Sequence, residues 1–165
     1  MRTRRVSFLV GLVCLIASTS VAAAPPAPKP LEGVIAGVEV CPQEWEQLCP
    51  NGATFFGTLH GKVNGERTSG VFKVEVMHQS PLILTGETPV LGGSFVVRTT
   101  RGEVGGTITG GTLASDDGGE TFKVLLTLLV TQPPSTTPLT FKGLLDHGGL
   151  KGEIPEPPTI TGRIS

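Results

Sequence analysis

Between Ala53 and His78 apolar and polar residues alternate on both sides of Asn64-Gly65, the period of half-buried β-strands and not of a helix. Asn-Gly between two such runs predicts a hairpin closed by a type I′ turn, whose two central residues need positive φ. A two-residue loop pairs Val63 with Glu66 and sets Leu59 opposite Gly70, Gly57 opposite Phe72, Phe55 opposite Val74 and Ala53 opposite Val76. Large residues meet small ones across that face, which marks it as the core. The other face carries Thr58, His60, Lys62, Arg67, Lys73 and Glu75 and belongs in water.

The same period recurs along the chain. Residues 93–100 (GSFVVRTT) and 103–111 (EVGGTITGG) read as a second hairpin. With Arg101-Gly102 as its turn, Val97 faces Gly106. Residues 121–131 (TFKVLLTLLVT) turn Phe122, Val124, Leu126, Leu128 and Val130 inward and Leu125 and Leu129 outward. So apolar a strand is expected to be central and partly covered on both sides. Further strands are expected at 33–40, 139–145 and 158–165, with 133–138 (PPSTTP) as a connection. No stretch of ten or more residues after residue 22 holds apolar positions at helical spacing. The fold class expected is therefore all-β: a single antiparallel domain of seven or eight strands, closed or nearly closed. Gly57, Gly70, Gly106, Gly110 and Gly143 fall on inward positions, where the coiling of a barrel corner requires glycine, and this favours a barrel over a sandwich.

Composition at the start of the chain changes the setting. Arg2, Arg4 and Arg5 precede an apolar run from Phe8 to Ala17 and a small-residue stretch, the three-part pattern of a secretory signal peptide. Cleavage is expected after Ala22, leaving no transmembrane anchor and a secreted or periplasmic protein. Residues 1–22 are then the signal, 23–30 a proline-rich tether and 31–165 the domain. Cleavage removes three basic residues and no acidic ones, so the mature chain is mildly acidic. No run of Lys or Arg is left to neutralise phosphates, which argues against nucleic-acid binding.

Cleavage also removes Cys14 and leaves Cys41 and Cys49 as an even pair in an exported chain. A metal clamp needs two more ligands close by, and a redox pair has two intervening residues, not seven. A disulfide is the reading that remains. A continuous helix would hold the two Cα atoms ~12 Å apart, beyond the ~7 Å a disulfide spans. The segment must double back, and Pro42 and Pro50 suit a short helical turn inside the closed loop.

Tests for chemistry exclude more than they find. The glycines of 102–111 are followed by no helix and no Gly-Lys-Ser/Thr, so they form no phosphate loop. SDDGGE at 115–120 lacks the ligand spacing of a calcium loop and reads as a polar turn. There is no nucleophile elbow, and none of the in-strand acids placed here, Glu66, Glu75 and Glu103, points inward. The sequence carries no cofactor or metal motif. Of the histidines, His60 faces solvent. His78 ends the second strand on the inward side, and His147 follows the 139–145 strand. In up-and-down order both reach the same rim, where Asp146 is placed to orient one of them. His78, His147 and Asp146 are thus the candidate ligand-binding residues. Non-enzymatic binding of a small ligand or protein partner, whose identity the sequence leaves open, is the leading expectation. The alternatives are an isomerase- or cyclase-type enzyme at the barrel mouth and a structural surface module with a filled interior.

Overall fold

The computed structural model describes residues 29–40, 51–147, 150–151, 154–155 and 157–165. The helical turn and disulfide expected at 41–50, the signal and most of the tether lie outside the described residues. The strands are β1 (Leu31–Val40), β2 (Gly52–Val63), β3 (Glu66–His78), β4 (Gly86–Thr99), β5 (Gly102–Ser115), β6 (Thr121–Gln132), β7 (Leu139–Asp146), β8 (Leu150–Lys151), β9 (Ile154–Pro155) and β10 (Thr159–Ile164). Eight of them close a barrel in the order β1-β10-β7-β6-β5-β4-β3-β2, and β8 and β9 pair apart from it. Every barrel pairing is antiparallel. Strands β1, β3, β5 and β7 therefore finish at one end, called the upper end below. The lower end has the tight turns at Asn64-Gly65 and Thr100-Arg101 and the longer β6–β7 connection at 133–138.

The β2–β3 register is the one the turn implies: Val63 pairs with Glu66, Leu59 with Gly70, Gly57 with Phe72, Phe55 with Val74 and Ala53 with Val76. Asn64 (φ 50°) and Gly65 (φ 84°) both take positive φ, as a type I′ turn requires. The Asn64 amide also donates to the Pro30 carbonyl (3.2 Å), and Pro30 is buried, so the chain joins the barrel just ahead of Leu31.

The β4–β5 turn is displaced from its expected place. Its central residues are Thr100-Arg101, so Val97 pairs with Val104 and Phe95 with Gly106. Thr99 braces this turn, its Oγ1 accepting from the Arg101 amide (3.0 Å) and donating to the Gly102 carbonyl (3.1 Å). An Arg98–Glu103 ion pair of 2.6 Å sits across the same register. The displacement is even, so no face is inverted. It puts a phenylalanine, not a valine, over Gly106. A Cβ at Gly106 would meet the Phe95 ring at 2.7 Å.

Irregularities in the pairing fall between Met77 and His78 on the β3–β4 ladder and between Ile108 and Gly110 on the β5–β6 ladder. They switch the inward phase of the upper halves. In β4 the buried positions are Thr88, Val90 and Gly92 above, and Phe95 and Val97 below. The doublets Gly92-Gly93 and Gly110-Gly111 take φ of 151–156° there, outside the range open to most side chains.

The interior is apolar and includes all five of the inward residues expected of β6. The outer face of that strand is only partly covered, with Leu125 42% exposed and Leu129 half-buried, because a single closed sheet has no second layer. Three phenylalanines fill space that glycines vacate. A Cβ at Gly37 or Gly57 would strike the Phe72 ring, at Gly143 or Gly162 the Phe141 ring, and at Gly106 the Phe95 ring. Most of the inward glycines thus make room for rings as well as for coiling.

Candidate functional site at the barrel mouth

The upper end gathers ionisable side chains that the rest of the interior excludes. Glu39, the penultimate residue of β1, is buried, as is His78 at the end of β3. The β1–β2 register turns Glu39 inward, since Ile35 pairs with Leu59 and Gly37 with Gly57. Glu66, Glu75 and Glu103 stay out of the core as expected, and Glu39, which the sequence reading did not place, is an in-strand acid that faces inward. His147 follows β7, and its Nε2 lies 3.0 Å from Glu39 Oε2, with side-chain exposures of 8% and 4%. Its Nδ1 donates to the Gly119 carbonyl at 2.9 Å, and its backbone amide to the Glu120 carbonyl at 2.9 Å. The Phe122 ring meets the imidazole edge-on at 5.3 Å.

Both ring nitrogens of His147 thus face acceptors, which the imidazolium satisfies by donating from each. Burial opposes that charge most strongly. The hydrogen bond to Glu39, the Gly119 carbonyl and the charges of Glu39 and Asp146 together outweigh it, and the His147 pKa is raised above its ordinary value.

The turn that presents Gly119 is rigidly built. Ser115 Oγ accepts from the Gly119 amide (3.1 Å) and donates to Asp117 (2.9 Å), while Asp117 accepts from the Thr121 hydroxyl (2.6 Å) and amide. These bonds, the Thr121 hydroxyl first, hold the Asp117 carboxyl well below the usual carboxylate range. The polar turn expected at 115–120 is therefore the brace that aims a carbonyl at His147.

His78 Nδ1 sits 3.0 Å from the Gln79 carbonyl, which places the ring proton on that nitrogen. His78, His147 and Glu39 line one cavity of about 50 Å³ whose remaining walls are apolar, Phe55, Val76, Leu126 and Leu145 among them. The structure therefore brings His78 and His147 to the same end. Asp146 is exposed on the outer face, and its charge helps to raise the His147 pKa. The carboxylate that meets the imidazole is Glu39. Among the described residues no group of three His, Cys, Asp or Glu has the arrangement of a metal site. No family model matches the chain, and no curated protein and no solved structure matches it.

Proposed function

We propose that the protein is an exported, disulfide-stapled binding module whose upper end admits the narrow apolar part of a small ligand and keeps the ligand's polar group beside Glu39, His78 and His147. The observation that carries this reading is the confinement of ionisable interior side chains to one end of an otherwise apolar cavity. Ligand sites commonly combine an apolar lining with a few convergent polar groups. A volume of about 50 Å³ is roughly a third of the ~150 Å³ cavity that takes benzene. A linear chain suits it better than a ring.

Acid–base catalysis by His147 is disfavoured because a general base must reach its substrate with a lone pair. Both nitrogens of His147 are engaged, by Gly119 and by Glu39. The test is titration of the mature protein with 1-hexanol, followed by the methyl resonances of Val76, Leu126 and Leu145. Saturable shifts confined to these interior methyls are expected. Their absence up to the solubility limit would leave a filled structural module instead.

A further inference from the structure

On the outer face, toward the lower end, the barrel assembles a positive belt that no stretch of the sequence contains. Lys142 of β7 pairs with Arg163 of β10, Arg163 with Val34 of β1, Val34 with His60 of β2, and His60 with Ser69 of β3. One row further down, Glu32 pairs with Lys62, and Lys62 with Arg67. Four cations and a histidine therefore lie across five neighbouring strands. At ~4.8 Å per strand spacing the belt is roughly 19 Å long. Its β10–β3 part forms a depression of about 710 Å³.

The pairing inside this belt is unfavourable as it stands. Lys142 faces Arg163 directly and Lys62 faces Arg67 directly, and like charges opposite one another on a sheet repel. Elsewhere on the outer surface Lys73 pairs with Glu75, Arg98 with Glu103, Arg101 with Glu66, and Lys123 with Asp116. Within the belt, only Lys62 has a carboxylate, Glu32 at 2.7 Å. Among the described residues Lys142, Arg163 and Arg67 have none within ion-pair reach. All three are exposed, in a chain whose net charge is −1. Glu32, whose carboxyl is held low first by Lys62 and also by the charge of Arg163, offsets part of this repulsion, and an anion laid along the row would offset the rest.

We infer that this belt binds a linear oligoanion carrying phosphate or sulfate groups, at a site separate from the mouth. Arginine offers such groups a planar fork of donors, and the Thr68 and Ser69 hydroxyls line the same depression. Among the described residues the belt has no Phe or Trp, and His60 is its one ring. Phe56, the exposed ring of β2, pairs with Val38 and Lys73 further up the barrel. Recognition therefore rests on charge and hydrogen bonds, without the base stacking that single-stranded nucleic acids use.

The experiment is an amide-resolved NMR titration of the mature protein at low ionic strength. One arm uses linear polyphosphate, a second a heparin hexasaccharide, and a third oligothymidylate of matched charge. Saturable shifts at Val34, Gly61, Ser69 and Arg163 with polyphosphate or heparin, weakening as salt is added, are expected; the tighter of the two identifies the source of the anion. The double reversal Lys142→Glu/Arg163→Glu should lower affinity at least about tenfold, and Lys73→Glu, outside the belt, should leave it unchanged. Arg163→Gln should weaken binding while keeping or raising the melting temperature, since it relieves repulsion. Loss of stability in Arg163→Gln with unchanged affinity would overturn the inference. So would an absence of saturable shifts, or oligothymidylate binding as tightly as the other two.

Discussion

Glu39 shows how a single residue escapes a reading by pattern. In β1 the outward positions Val34, Val38 and Val40 are as apolar as the inward Leu31 and Ile35, so alternation cannot say which parity faces the core. Only the pairing of Ile35 with Leu59 settles it. His78 and His147 were legible because each lies at the end of a strand whose parity was clear, whereas the carboxylate partner of His147 was not. The Glu39–His147 pair leads to a measurable outcome. Removing one partner of a buried pair leaves the other charge without compensation, so Glu39→Ala should cost roughly 3 kcal/mol near pH ~6. The His147 pKa is raised in the folded state. The pair's contribution is therefore complete below the unfolded value of about 6.5 and is lost as pH rises through the folded value. Urea denaturation should show the stability gap between the native protein and His147→Gln narrowing from pH ~6 to pH ~9. A gap that widens with pH would mean that the ring is neutral.

Among the elements, the β2–β3 hairpin was legible to the residue, because a two-residue Asn-Gly loop leaves no freedom in register. The second hairpin was legible only in its faces. Its turn pair carries no equivalent demand on φ, and the register is set instead by Phe95 lying over Gly106 and by the Arg98–Glu103 pair. The upper halves of β4 and β5 were harder still, since a bulge reverses the inward phase and breaks the alternation on which the reading depends. Phe72 provides the test at this scale. A Cβ at Gly57 would meet its ring at 2.7 Å and press on the Ala36 carbonyl, so Gly57→Val should cost roughly 3 kcal/mol. Thr58→Val, on the exposed outer face, should stay within about 0.5 kcal/mol. A side chain added at Gly70 would first meet the Arg98 carbonyl and Thr99 on β4. Equal losses at positions 57 and 58 in thermal melts would show that the face is wrongly assigned.

For the molecule as a whole, antiparallel strands with short turns made a closed barrel readable. The positive belt was not, because its members come from β7, β10, β2 and β3 and meet only once the sheet has closed on itself. That closure rests on one pairing distant in sequence, β1 with β10, in which Gly33 lies opposite Ile164. The first and last barrel strands therefore begin and end side by side at the lower end, one short linker apart, and the sheet has a seam but no edge. Joined there and reopened at Asn64-Gly65, the circularly permuted domain should keep the same barrel, with an unchanged amide spectrum outside the two altered turns. It should lose no more than about 2 kcal/mol in equilibrium denaturation, since loop-closure entropy grows only slowly with length. Its long-range step would become the β2–β3 pairing, now between the chain's two ends, while β1 and β10 would form the local hairpin. Comparing the refolding of the two forms would show whether the seam or the Asn-Gly hairpin sets the order in which this barrel is assembled.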